Sequence, residues 1–393
     1  MKNILYISQD GLVDPLGQSQ IYPYVEGLSK NYFFFICTSE SFENSNKINL
    51  FKKKINKNID WKFNIIKKQS GKVNRIIEIL LLYSLAIKTL FTKKISIIHC
   101  RSYLPMPICV LVKLFTNKKI IFDTRGSWFD ERIDGGMLKQ KGLDYFIFKI
   151  LKQLEAVFFK CSDYLVFLTE NSLNKINPKF IKNKKFEIIP CAADFKHFKI
   201  LDTKEKEKIK KKMSLSNKFV ISYIGSLGSW YQIERIISFF SQFKKIYKES
   251  YLLILTCSLI EKQITKFPNN LSDSFCFLSC SREDMPKIIG ISDLTLSFIK
   301  NSFSKFFSSP TKVGESFACG VPVLSTANIG DIDAHIRTLD LGYILNDKNF
   351  VSNSEFESLI QRKNNSKQIR QNSYDIYSLD SALSKYNKIY QSL

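Results

Sequence analysis

Short apolar runs rich in β-branched and aromatic residues recur along the chain. Longer segments with apolar residues every three or four positions separate most of them. The runs predict strands at 3–8, 33–38, 62–66, 95–100, 119–123, 163–169 and 186–190. They are almost unbroken rather than alternating, which suits a parallel sheet covered on both faces. Residues 196–218 are charged and poor in large apolar side chains, and read as a connection carrying a short solvated helix. The pattern then restarts, with strands at 219–226, 251–257, 274–280, 293–298, 321–326 and 342–345. The expected fold class is α/β, two doubly wound parallel-sheet domains. Residues 1–195 form the first and 219–375 the second, and 376–393 form an amphipathic terminal helix. The halves share an architecture and no repeated sequence.

Composition narrows this picture only a little. The 393 residues carry a net charge of +23 and are 45% hydrophobic, enough for ordinary cores. Such charge suits a polyanionic partner, an anionic membrane or a phosphorylated substrate. Lysine, asparagine and isoleucine are also enriched throughout, as a general compositional bias would produce. The nine cysteines are odd in number and irregular in spacing, with no Cys-x-x-Cys. They read as small buried hydrophobes in a reducing compartment. Three scattered histidines add no zinc pattern. The first strand begins too early for a signal peptide, which points to a cytoplasmic protein. The most apolar stretch, 76–91, is interrupted by Glu78 and Lys88 and falls short of the roughly 20 residues a membrane span needs. A buried helix is expected there, with a helix dipping into a membrane surface as the alternative.

Doubly wound domains bind ligands outside the carboxyl ends of their strands, so the strand-end loops carry the candidate chemistry. After the first strand, Gly11, Pro15 and Gly17 form a polar loop that opens a helix near Gln18–Ser19. Free amides at a helix start suit an anion or a hydroxyl-rich ligand. Neither a dinucleotide fingerprint nor a Gly-x-x-x-x-Gly-Lys loop occurs there. Arg101 leaves its strand at the carboxyl end, while His99 reads as a satisfied, partly buried histidine. The loop 124–136 crowds Arg125, Asp130, Glu131, Arg132 and Asp134 around glycines and Trp128. That crowd is either a local salt-bridge web or a surface for a polar ligand such as a sugar, with Arg125 contacting an anion. In the second half, Gly225, Ser226, Gly228 and Ser229 make an amide-rich turn suited to phosphate.

The stretch "SSPTKVGESFACGVPV", 308–323, is the most specific. Ser309 is expected at the N-cap and Pro310 at the first helical position, with Thr311 and Lys312 in the first turn. Glu315 shares their face. Val313 and Phe317 point to the sheet, and Gly320 supplies a left-handed cap. A lysine at the positive end of a helix dipole is misplaced unless an anion joins it. Dipole, amides and Lys312 together suit a diphosphate, and Glu315 suits the vicinal hydroxyls of a ribose. A surface Lys312–Glu315 ion pair is the plainer alternative.

These motifs, together with "YIGSLGSW", "YISQDGLVDPLGQSQIYPYVEGLS" and "CRSYLPMP…IIFDTRGSWFDERIDGG", resemble the retaining glycosyltransferases of family 4. The resemblance runs in family order over nearly the whole chain. It implies the GT-B fold, two Rossmann-like domains facing across a cleft, with the acceptor on the first, the nucleotide-sugar donor on the second, and the terminal helix, 376–393, returning to the first. It implies transfer with retention and no metal or other cofactor. Glu315 matches the second carboxylate of the family's Glu, seven residues, Glu motif; at the first stands Phe307. The family's arginine and lysine after the first donor-domain strand are replaced by Ser226 and the Trp230–Tyr231 region. The histidine that many members place near Arg125 is absent. On this resemblance Lys312 and Arg125 are the catalytic candidates. Gly17, Gln18, Gly225, Ser226, Ser309, Pro310, Thr311, Lys312 and Glu315 are the donor candidates. Arg101, Trp128, Asp130, Glu131 and Arg132 are the acceptor candidates.

The expected partners are a UDP- or GDP-sugar and a saccharide or polyprenyl-linked acceptor in surface polysaccharide synthesis, of the O-antigen or capsule type. An anionic inner membrane face is a further expected partner, and nucleic acid is not. Asp331 and Asp333 form an Asp-x-Asp, but its place after a strand reads as a helix N-cap rather than a metal site. Two other classes remain open on sequence: a GT-B nucleotide-sugar epimerase, which needs a base at the sugar, and a non-enzymatic basic adaptor, which needs no ordered polar loops.

Overall fold

The computed structural model describes all residues except 68–71, 229, 257–265, 346–356 and 358–364. The chain forms two compact units: Met1–Pro190 with Leu379–Leu393, and Cys191–Ser378.

The first unit is built on strands β1 (Asn3–Ile7), β2 (Phe33–Ser41), β3 (Ile59–Ile66), β4 (Ile97–Arg101), β5 (Lys119–Asp123), β6 (Tyr164–Phe167) and β7 (Lys185–Ile188). They lie in the order β3-β2-β1-β4-β5-β6-β7, all parallel. In β1, Leu5 and Ile7 point to one face while Ile4 and Tyr6 point to the other, and all four are buried. Burial on both faces is why these strands read as continuous apolar runs. Helices Lys72–Thr92, Met106–Phe115 and Gly142–Cys161 share one core with Leu5 and Ile98, through residues such as Leu82, Met106 and Phe158. Helix Lys72–Thr92 is less buried than its sequence suggests. Leu82, Ala86 and Leu90 are buried, but Ile76, Ile77, Leu80 and Leu81 are exposed.

The terminal helix Leu379–Ser392 belongs to this first unit and packs on helix Tyr22–Leu28. Its stripe Ala382, Tyr386, Ile389 and Tyr390 is buried. The Tyr390 hydroxyl lies 2.6 Å from His99 Nδ1, and the Tyr386 hydroxyl donates to Asp123 Oδ2 at 2.9 Å. Burial lowers the His99 pKa below its ordinary value, against the pull of Asp123. Burial alone would raise Asp123, but Arg125, His99 and Arg101 together hold it below the ordinary range.

The second unit carries β8 (Phe219–Ile224), β9 (Ser250–Leu255), β10 (Phe275–Leu278), β11 (Leu294–Ser297), β12 (Val323–Thr326) and β13 (Gly342–Leu345). Their order is β10-β9-β8-β11-β12-β13, again parallel. Helix Ile233–Ile246 buries Ile236, Phe240 and Phe243 on one face. Helices Thr311–Ala318, Ile332–Leu339 and Ser366–Tyr377 bury Phe317, Ile336 and Tyr377 on the other.

The segment 196–218 is not a connection. Phe198 and Leu215 are buried in the core of the second unit, and Lys206 and Lys210 pair with the buried Asp293 at 3.1 and 2.8 Å. Lysine stems packed over an anchoring carboxylate look solvated in sequence, which hid this role. The second unit therefore begins at Cys191, and the return to the first falls between Ser378 and Leu379 rather than at 376. The eight described cysteines are all free; Cys257 lies outside the described residues.

The His99 environment gives stability a defined pH dependence. Burial makes His99 bind a proton less readily in the fold than in the unfolded chain, where it does so below about 6.5. Unfolded protein therefore takes up more protons there, and stability falls as pH drops below that value. His99→Gln should flatten this slope in urea unfolding followed between pH 7 and about 5. An unchanged slope would place the titrating group elsewhere. Asp123, whose folded pKa is depressed, acts only at lower pH.

Candidate functional site

Each sheet has a switch point where the strand order reverses, between β1 and β4 in the first unit and between β8 and β11 in the second. In open α/β sheets that is where a crevice forms at the carboxyl edge. In the second unit the crevice is a cavity of about 200 Å³. Its walls are the ends of β8 and β11, Tyr231, and the start of helix Thr311–Ala318, including Thr311 and Lys312.

That helix begins one residue later than its sequence suggests. Pro310 is the N-cap residue, without a side-chain capping bond. The Ser309 hydroxyl instead accepts from the Cys191 amide at 3.0 Å. Ser309 thus anchors the start of this unit rather than capping the helix. The helix ends as expected: Gly320 has φ +70°, its amide bonds Phe317 O, and the Val321 amide bonds Ser316 O. This paired arrangement satisfies the last carbonyls and needs a left-handed residue at the turn. Val313 and Phe317 are buried towards the sheet, leaving Lys312 at the cavity.

Glu315 is fully buried. Its Oε2 receives Lys312 Nζ at 2.8 Å and its Oε1 faces Arg282 Nη1 at 3.4 Å. A buried carboxylate needs cationic partners to remain charged. Here both oxygens are covered by cations that are themselves partly exposed. Arg282 follows β10, and its guanidinium lies 5.5 Å over the Phe198 ring. Sequence reasoning missed it, although the strand-end rule that singled out Gly225 and Ser226 after β8 applies equally to the end of β10.

The turn after β8 is less open than expected. The Gly225 amide bonds Leu255 O at 3.0 Å and so extends the β8–β9 ladder. Ser226 O accepts from the Tyr223 hydroxyl at 2.7 Å. Ser229 lies outside the described residues. Phe307 is buried, with its ring 5.7 Å from that of Phe303. The position where the resemblance calls for an acid is therefore apolar interior. Asp331 is the N-cap residue of helix Ile332–Leu339, and Asp333 accepts from the Asn328 amide. Among the described residues no group of three His, Cys, Asp or Glu converges as a metal site.

In the first unit the helix after β1 opens at Pro15, earlier than expected, and Gly17 is inside it. The Gln18 amide bonds Asp14 O, and its side chain donates to Leu12 O at 2.7 Å. Gln18 is therefore spent on the loop itself. The loop is held from below by buried Glu40, which accepts from the Leu12 amide at 2.6 Å, the Val13 amide at 3.3 Å and the Thr38 hydroxyl at 2.8 Å. Burial raises the Glu40 pKa, and these donors moderate the rise.

Arg101 is the last residue of β4 rather than a loop residue. Its side chain is buried, with Nε 3.7 Å from Asp10 Oδ2. Arg125 donates to Gln20 Oε1 at 3.0 Å and lies 3.8 Å from Asp123 Oδ1. It adopts φ +54°, and Ser102 after β4 adopts φ +68°. Two left-handed residues at adjacent strand ends mark a strained carboxyl edge. Asp130 is turned inward, bonded by the Ser127 hydroxyl and by Lys152 Nζ at 2.9 Å, so it belongs to a salt-bridge web with Glu155. Arg132 stacks 3.9 Å over Trp128. Glu131, like Asp130 and Trp128, belongs to the short helix Trp128–Asp134.

The fold is that of GT-B glycosyltransferase structures, two Rossmann-like units with seven- and six-stranded parallel sheets. HepE of Anabaena, solved with UDP and glucose, superposes with TM-score 0.71 over the whole of both chains at 12% identity. WaaG, a glycosyltransferase involved in lipopolysaccharide biosynthesis, superposes at 0.65 and 14% identity over 98% of this chain and 99% of its own. In sequence, an uncharacterized glycosyltransferase of Methanocaldococcus jannaschii is 26% identical over 213 residues, 54% of this chain. The chain spans about half the length of that relative, 51%. No protein-family model matches the chain.

A Cβ on residue 17 would meet Gly11 O at 1.9 Å, a backbone atom that cannot step aside. Gly17→Ala should cost about 1–3 kcal/mol in urea unfolding. An unchanged midpoint would mean that the loop tolerates displacement and that its packing is not what fixes residue 17.

Proposed function

We propose that the chain is a glycosyltransferase that uses a nucleoside-diphosphate sugar. The observation that carries this reading is the cavity at the β8/β11 switch point, entered by Lys312 from a helix start and backed one turn deeper by Glu315. The fold likeness and the glycosyltransferase relative support it. The diphosphate sits on Lys312 and the opening amides of the helix, where dipole and ammonium both favour negative charge. A diphosphate competes with Glu315 for Lys312. As Lys312 turns to the phosphate it uncovers Oε2, which then accepts from ribose hydroxyls while Arg282 keeps the carboxylate in place.

The transfer retains anomeric configuration. The bond from the anomeric carbon to the diphosphate oxygen breaks, and the bond to the acceptor oxygen forms on the same face. The acceptor's proton passes to the leaving diphosphate. The protein's share is charge stabilisation on that diphosphate, led by Lys312. No metal is required. The acceptor, a saccharide or polyprenyl-linked sugar of surface polysaccharide synthesis, binds at the ends of β4 and β5, where Arg101 and Arg125 lie. The buried pairing of Asp130 favours Trp128, Glu131 and Arg132 as its contacts in the 124–136 segment.

A thermal-shift panel of UDP-, GDP- and ADP-sugars tests the reading. The cognate donor at one hundred times its Kd should stabilise the chain by about 2.7 kcal/mol. No shift with any of them would refute donor binding. With the cognate base known, Lys312→Met should weaken the nucleoside diphosphate about ten- to hundredfold and leave the free nucleoside unweakened. Glu315→Ala should weaken both, and equal losses in the two variants would refute the division of roles. Arg282→Ala leaves Lys312 as the sole partner of Glu315 among the described residues and should lower diphosphate affinity. Turnover should persist in EDTA, and its abolition would overturn metal independence.

A further inference from the structure

The two units treat their apolar surface differently. Among the described residues the second unit exposes only Ile246, Phe303 and Tyr374 of its large hydrophobics, whereas the first exposes many on its helices. Two of those helices carry matching stripes. On helix Lys72–Thr92 one exposed stripe is Val73, Ile76, Ile77 and Leu80, with Leu81 beside it and Phe91 exposed at the far end. On helix Gly142–Cys161 the stripe is Leu143, Phe146, Ile147 and Ile150, with Tyr145 and Val157 also exposed. Both series follow the spacing i, i+3, i+4, i+7, which is one face of a helix. Leu143 is 73% and Phe146 61% exposed, so these side chains are not covered by any of the described residues.

The stripes lie on the same side of the sheet and at the same edge. The buried faces of both helices enter one core, through Leu82 and Ala86 from the first and Phe158 and Phe159 from the second. Both helices run back towards the amino ends of the strands that follow them, β4 and β6, so their opening turns lie at the carboxyl edge. Arg132, in the short helix between them in sequence, is close enough to Arg75 for its pKa to be lowered by that charge after the larger effect of burial. That places the start of helix Lys72–Thr92 beside the 124–136 segment.

The exposed charges around the stripes have one sign, and the acidic Asp144, Glu131 and Asp134 there are only half-exposed. Arg75, Lys139, Lys141 and Lys149 are exposed there. Glu78 is buried and accepts from Gln9, and Asp144 accepts from the Lys139 amide. Lys149 Nζ lies 4.8 Å over the exposed Tyr145 ring, a long side chain lifted along an aromatic one. A second copy of this face would bring lysine against lysine, which opposes pairing. Apolar side chains among exposed cations are instead complementary to lipid tails beneath anionic headgroups.

We propose that these two helix openings seat the first unit on an anionic membrane surface, with the carboxyl edge of its sheet towards the lipid. Among the described residues no helix is long and apolar enough to cross a membrane, so the contact is peripheral. It does not depend on which nucleotide the second unit takes. A lipid-linked acceptor would meet the edge that carries Arg101 and Arg125.

The test is sedimentation of the full chain with vesicles of phosphatidylcholine alone and of equal parts phosphatidylcholine and phosphatidylglycerol. The chain should pellet with the anionic vesicles, remain in solution with the neutral ones, and be released by salt. Phe146→Ser with Ile150→Ser, and separately Ile76→Ser with Leu80→Ser, should each lower binding about tenfold or more. These residues are exposed, so circular dichroism and the thermal midpoint should stay unchanged. No binding to anionic vesicles, or undiminished binding by both variants, would overturn the proposal. So would a chain that is dimeric in solution and becomes monomeric on Phe146→Ser with Ile150→Ser, since the face would then join two copies.

Discussion

A parallel sheet must be covered on both faces, because its connections run as helices over them and its strands are apolar on each side. That constraint orders both units of this chain. Tyr6 and Leu5 are neighbours in sequence and point to opposite faces, yet both are buried. With both faces closed, polar side chains can gather only where strands end. The carboxyl edges accordingly hold Arg101, Asp123 and Arg125 in one unit and Lys312, Glu315 and Arg282 in the other. Left-handed residues at Ser102 and Arg125 show the backbone bending sharply there.

The same constraint made much of the fold legible. An unbroken apolar run such as "KIIFD" allows little besides a buried strand, and Lys119–Asp123 is the strand observed. Helix ends with a local chemical cause were also legible, as at Gly320. Sequence failed where a side chain's partner is distant. Nothing near Ser309 shows that its hydroxyl holds the Cys191 amide, and nothing near Asp293 shows that it gathers Lys206 and Lys210. Burial of an amphipathic lysine stem is invisible to composition, so 196–218 looked solvated.

The candidate site was legible in part. Lys312 does line the cavity and Glu315 does lie beside it on the same helix face, as the three-residue spacing requires. What the spacing could not give is that Glu315 is closed off. Its second cation comes from Arg282, thirty-three positions away and on another strand's loop. The absent acid at Phe307 acquires a physical meaning too, since that position is interior and a carboxylate there would be buried beside Phe303. In the first unit, Gly17 matters for its contact with the Gly11 backbone rather than for a free amide.

The central claim is that a diphosphate takes Lys312 from Glu315 and so opens the carboxylate to a ribose. A crystal structure of the chain soaked with its cognate nucleoside diphosphate tests this most directly. The account predicts phosphate density on Lys312 and the Thr311 amide, Lys312 Nζ moved off Glu315 Oε2, and ribose hydroxyls in its place. Phosphate bound elsewhere with the 2.8 Å Lys312–Glu315 pair intact would contradict it.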